Sequence, residues 1–109
     1  MGRGEYLGEL EIVVLTALLR LGGTPYGMEV YDEIVRVTGR ELSAPSVYVT
    51  LNRLETKGFV ESEIGTASPK PGGRAPRHYS VTDDGRVALD RSRRQFFDLF
   101  EGLPEKLVR

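Results

Sequence analysis

Lys70, Arg74, Arg77 and His78 stand in a stretch, Ile64 to Thr82, that holds no Asp or Glu, although the chain carries 16 acidic residues and a net charge of -1. Positive charge is thus gathered into one segment, which continues as Gly72-Gly73-Arg74-Ala75-Pro76-Arg77-His78-Tyr79-Ser80-Val81-Thr82. Ammonium and guanidinium groups so placed suit the phosphate backbone of double-stranded DNA, and Arg74 beside two glycines suits a minor groove. A second group lies upstream. Ser46, Asn52 and Arg53 offer donors and acceptors of the kind that read base edges, and Val49 offers an apolar partner for a thymine methyl. Tyr26 and Gly27 open a helical pattern whose first amides and dipole suit a phosphate, with the Tyr26 hydroxyl as a further donor. The competing reading is that Tyr26 only fastens that helix to the core. A third group, Phe96, Phe97, Phe100 and Leu103, is apolar. It suits packing between two copies of the chain, or the lining of a pocket for a small hydrophobic effector. His78 reads as a strand residue near the backbone and not as a pH switch.

Other chemistries find little support. There is no cysteine and only one histidine in 109 residues, so neither a disulfide framework nor a metal site is expected. Gly72-Gly73 is not followed by the Gly-Lys-Ser/Thr of a phosphate loop, and no nucleophile stands with a base and paired carboxylates. No cofactor and no catalysis are expected. No apolar run is long enough for a transmembrane helix, and the first residues lack a signal peptide's apolar stretch, so the expected location is the cytoplasm with no membrane partner.

These groups need elements to position them. Leu10, Val13, Val14, Ala17, Leu18 and Leu21 repeat at three- and four-residue steps and predict a helix over 8–21. Ile12, Leu15 and Leu19 make much of its remaining surface apolar, as in a helix that is buried or lies between subunits. Gly22-Gly23-Thr24-Pro25 stops it. A second helix is predicted over 26–38, with Val30, Ile34 and Val37 inward, Tyr31 beside them, and Glu29, Asp32, Glu33 and Arg36 outward. Gly39 suits its C-terminal cap. A third spans 44–57, with Ser43 as N-cap and Pro45 in its first turn. Val47, Leu51 and Leu54 face the core. Pro45, Val49, Asn52 and Arg53 point away, Ser46 lies at the edge of that outer face, and Tyr48 lies on the opposite flank. Residues 59–64 and 77–81 read as two paired strands, with Tyr79 and Val81 on one face. Thr82 caps a last helix running to about Glu101. Arg91, Arg93 and Arg94, with Asp90 and Asp98 nearby, read as its solvated face.

The order is three helices, two strands and a helix: a mainly α fold with a two-stranded β-wing. It is a winged helix-turn-helix (residues 1–82) followed by a C-terminal dimerisation helix (83–109) in one compact unit. The residues Tyr26-Gly27-Met28-Glu29-Val30, Leu42 through Glu55, Gly58-Phe59-Val60, and Gly72-Gly73-Arg74 through Tyr79 with Val81-Thr82 and Gly85 together resemble the PadR family of transcriptional regulators. The resemblance covers roughly residues 7–101, and its one C-terminal helix resembles the family's smaller subfamily. It implies a dimeric, DNA-binding repressor whose last helix pairs with its twin, and it implies that Tyr48 donates its hydroxyl to a phosphate. The sequence departs from the family pattern at Met28, Pro76 and His78. It also has no Trp, the residue on which multidrug-sensing members of this size stack flat ligands.

The reading is therefore a sequence-specific, homodimeric repressor on an inverted-repeat operator, with release by a small effector. The alternative is a winged-helix module that binds protein and not DNA, since fold does not fix function. Acidic Glu61 and Glu63 breaking up the cationic surface would favour that alternative.

Overall fold

The computed structural model describes residues 6–65 and 76–108. Its elements are α1 (Glu9–Leu21), α2 (Gly27–Thr38), α3 (Ala44–Thr56), β1 (Val60–Ile64), β2 (Arg77–Val81) and α4 (Asp83–Glu101). Element order and type follow the sequence expectation, with ends moved by no more than one residue.

Local chemistry explains the boundaries. The Ser43 hydroxyl accepts from the Ser46 amide at 3.3 Å, and Pro45 sits in the first turn, where no amide donor is needed. Gly39 closes α2 at φ 68°, in the left-handed region that glycine enters without strain. The Thr82 hydroxyl accepts from the Gly85 amide at 3.0 Å, and Asp83 and Asp84 fill the first turn of α4.

The core is built from α1–α3 and the sheet: Val14, Leu15 and Leu18 of α1, Val30 and Ile34 of α2, Val47, Leu51 and Leu54 of α3, Val60 of β1 and Tyr79 of β2. This corrects two expectations. In α1 the buried face centres on Val14, Leu15 and Leu18, while Leu21 is exposed and Leu10 and Val13 are half-buried. The helix is apolar nearly all round, so period alone does not select the face, and packing against α2 and α3 does. In α2 the stripe stops at Ile34. Val37 is exposed, and Glu33 is half-buried between Arg20 and Arg36.

One polar contact lies inside this framework. The Glu11 carboxylate, nearly buried, accepts from the Gly8 amide at 2.7 Å and from Lys57 Nζ at 2.9 Å. It ties the start of α1 to the end of α3. Neither residue stood out in the sequence, because a Glu on a helix and a Lys after one are ordinarily solvated.

β1 and β2 pair antiparallel, Val60 with Val81, Ser62 with Tyr79, Ile64 with Arg77. Alternation places those six on the side facing α3 and the core, and places Glu61, Glu63, His78 and Ser80 on the other side. The Tyr79 amide also donates to the Pro25 carbonyl at 2.9 Å, and Tyr26 forms a bridge with His78. The turn between α1 and α2 thus adds a minimal third strand to the wing.

Candidate nucleic-acid interface

α3 presents its outer face to solvent. Val49, Asn52 and Arg53 are all exposed, as the helical period requires once Val47, Leu51 and Leu54 turn inward. Ser43 and Ser46 stand at the start of that face with their hydroxyls 2.7 Å apart. They therefore meet a base edge or phosphate as a pair. Ser43 is already engaged as the cap, so its remaining capacity to donate is shared with Ser46.

Tyr48 lies on the flank toward α2, where its ring covers Gly27. A Cβ on Gly27 would sit 2.7 Å from Tyr48 Cζ and 2.8 Å from its Oη, closer than carbon atoms approach. A side chain at position 27 would push the Tyr48 ring aside, while the backbone angle there makes no demand for glycine. Two sequence candidates that looked separate, the start of α2 and the tyrosine of α3, are brought together. Tyr26 is taken elsewhere. Its ring meets that of His78 in a tilted contact, 4.1 Å between centroids, and its amide donates to Glu29 Oε1 at 2.8 Å.

His78 in turn holds Thr24. Nδ1 lies 2.9 Å from the Thr24 carbonyl oxygen, which can only accept, so Nδ1 carries the proton. His78 is thereby a fastener between the wing and the α1–α2 turn. Its ring is on the side of the sheet opposite Arg77. Arg77 is exposed on the α3 side, its Nη1 donating to Ser62 Oγ at 3.0 Å, and Ser62 donates onward to Glu55 Oε2 of α3 at 2.7 Å. Lys70 and Arg74 lie outside the described residues.

The ion pairs leave charge available on the same side, as they do at Arg86 of α4. Many arginines are held by carboxylates: Arg20 and Arg36 by Glu33, Arg40 by Glu9, Arg93 and Arg94 by Asp90. Arg53 and Arg77 have no ion pair among the described residues. Glu61 and Glu63 are exposed but belong to the opposite side of the sheet, so they do not come between α3 and Arg77.

A second surface lies between α1 and α4. A groove of about 740 Å³ is lined by Ile12 and Leu19 of α1 and Leu89, Phe96, Phe97 and Phe100 of α4, among others. Phe96 and Phe100 stack with centroids 6.0 Å apart. From Arg93 onward every residue of α4 is exposed, including these phenylalanines and Leu99, and Leu103 beyond the helix is exposed too. Leu99 is the one apolar member of this group that the helical spacing did not bring forward.

The family model for PadR-like transcriptional regulators matches residues 14–91, which contain α2, α3, the wing and half of α4. The chain belongs to the PadR-like family. Solved structures agree with that fold. A PadR family transcription regulator from Clostridium difficile R20291 is similar at TM-score 0.70 and 23% identity, over 86% of this chain and 93% of that one. A PadR family transcriptional regulator from Eggerthella lenta reaches TM-score 0.68 and 26% identity, over 86% and 81%. BpsR of Bordetella bronchiseptica, whose DNA binding is regulated by 6-hydroxynicotinic acid, reaches TM-score 0.63 and 19% identity, over 96% and 73%. No curated protein matches the sequence. As a PadR-like regulator, the chain has α3 in the place of the helix-turn-helix reading helix and β1–β2 as its wing. Among the described residues no helix is long and apolar enough to cross a membrane, and no cluster of His, Cys, Asp or Glu could hold a metal ion.

Proposed function

We propose that this PadR-like regulator is a homodimeric repressor that binds an inverted-repeat operator, working in the cytoplasm where that DNA lies. Residues 1–82 bind DNA and residues 83–109 dimerise. The observation that carries the reading is the shared side of α3 and the wing, where Arg53 and Arg77 are exposed and have no ion pair among the described residues. α3 enters the major groove, with Asn52, Arg53, Val49 and the Ser43–Ser46 pair toward base edges. Arg77, with Lys70 and Arg74, follows the phosphates.

Dimerisation through α4 accounts for its exposed phenylalanines, since a contiguous apolar face on a projecting helix marks a partner surface. The two reading helices then stand about 34 Å apart, one duplex turn, which is why the operator is an inverted repeat. The α1–α4 groove suits a small hydrophobic effector whose binding changes the pairing of the helices. Regulation of BpsR by a small aromatic acid is a precedent within the same fold.

The test is binding of the purified protein to the DNA upstream of its own gene, measured across ionic strength. Binding should weaken steeply with salt, and footprinting should show two half-sites one turn apart. Absence of binding at low salt would reject the reading in favour of a protein-binding module. Asn52→Ala should change sequence preference, costing about 1–3 kcal/mol on the best site and little on others.

A further inference from the structure

Ser62 joins two residues from different elements, one on the reading helix and one on the wing. Its hydroxyl donates to Glu55 Oε2 of α3 at 2.7 Å, and its oxygen accepts from Arg77 Nη1 of β2 at 3.0 Å. The ends fix the direction of this chain, since a carboxylate only accepts and a guanidinium only donates. The sheet register explains how the three meet. Arg77 stands opposite Ile64, so Ser62 is its diagonal neighbour on the side facing α3, within reach of a long side chain. Glu55 is the one acidic residue of α3, two positions beyond Arg53. Glu55 and Ser62 are half-buried, while Arg77 is exposed. A carboxylate elsewhere in the chain takes its neighbouring arginine directly, as Glu33 takes Arg20 at 2.9 Å. Arg77 makes no such pair among the described residues, because the serine stands between it and Glu55.

We propose that Ser62 is a positioning residue for DNA binding: it anchors the Arg77 guanidinium to the reading helix through Glu55, yet holds it one hydroxyl short of the carboxylate that would neutralise it. The inference rests on the DNA-binding reading above and goes beyond it, from which cation meets a phosphate to what holds that cation in place. A loose arginine gives up much rotamer freedom when it binds, and one already held gives up less. Ser62 engages Arg77 through Nη1 alone, and the remaining N–H donors of the guanidinium can still grip a phosphate. The same arrangement tempers Glu55. A bare carboxylate on the reading helix would repel the DNA backbone, and a hydroxyl and a guanidinium in front of it offset that charge. The phosphate contact of the wing is thereby tied to the setting of α3, the element that faces the bases.

The test is a double-mutant cycle on the full chain, read as dissociation constants for the DNA upstream of its own gene over a salt series. The variants are Ser62→Ala, Ser62→Thr, Arg77→Ala and the double variant Ser62→Ala/Arg77→Ala. Arg77→Ala should bind more weakly and reduce the salt slope by about 1, as the loss of one phosphate contact requires. Ser62→Ala should bind roughly fivefold more weakly, with the wild-type circular dichroism spectrum. Ser62→Thr, which restores the hydroxyl, should bind like the wild type. On the Arg77→Ala background the serine substitution should cost nothing further, because the side chain it positions is gone. A serine that served only the fold would cost the same in both backgrounds, and that result would overturn the proposal. Wild-type affinity in Ser62→Ala or in Arg77→Ala would overturn it too. A wild type that does not bind at low salt would reject the DNA reading itself, so the two failures are distinguishable.

Discussion

Gly27 shows how a single missing methyl group shapes the interface. Tyr48 occupies the space that a Cβ would need, so Gly27→Ala must displace the ring from the start of α2. We expect a loss of about 1–3 kcal/mol in stability, read as a lower melting temperature, together with weaker DNA binding. Ser43→Ala removes the cap of α3 and should cost about 1 kcal/mol. It also frees Ser46, whose hydroxyl now meets that of Ser43, so a change in sequence preference should accompany the loss. At this scale the sequence was a good guide to α3, where capping chemistry and the helical period fix which side chains face out. It was a poor guide to Tyr26, whose ring meets His78 far along the chain. Tyrosine is amphipathic, and whether its hydroxyl is free depends on contacts made across the chain. Tyr26 goes to His78, which leaves the start of α2 to Tyr48.

Among the elements, the wing and α4 are attached by different means. β2 is tied to the α1–α2 turn by the Tyr79–Pro25 hydrogen bond, the tilted ring contact of Tyr26 with His78 and the contact of His78 with Thr24. The sequence reads His78 as near the backbone and offers Tyr26 as a fastener, but it does not pair the two, since a bridge of one residue leaves no alternating pattern. α4 is legible for the opposite reason: its cap, acidic first turn and phenylalanine spacing are all local. Its attachment is not. Gly85 is buried under the start of β1, where an added Cβ would strike the Phe59 carbonyl and approach Val81 Cγ1 to 2.9 Å. From Arg93 onward every residue of the helix is exposed, and its phenylalanines line the open groove beside α1. Phe100→Glu places a charge on that free apolar face without touching the core. Sedimentation should then show a shift toward monomer, with the fold retained by circular dichroism. Operator binding should fall by far more than one protomer's contacts, because two half-sites no longer act together.

For the whole molecule the arrangement of charge matters more than its sum. With 15 basic and 16 acidic residues the chain is near balance, while Arg53 and Arg77 stand exposed on the side of α3 and the wing with no ion pair among the described residues. Hydrogen bonds from Arg20 and then Arg36 hold the Glu33 carboxyl below the usual carboxylate range. A lowered folded value stabilises above the unfolded value, and this contribution is lost as pH falls through the folded one. Glu33→Gln should therefore have a shallower decline in melting temperature below about pH 4.5 than the wild type. Its melting temperature at neutral pH should be slightly lower. The contact of Gly85 beneath β1 reaches across this scale as well. It fixes the rotational setting of α4 against the wing, and Phe96 to Phe100 follow from it along an unbroken helix. In the proposed dimer, the stretch from Gly85 to Phe96 is a ruler, about 16 Å long, that fixes both reach and phase. One residue inserted there would turn the phenylalanine face by about 100°. The protein would keep each half-site contact and lose the spacing at which two half-sites count as one address.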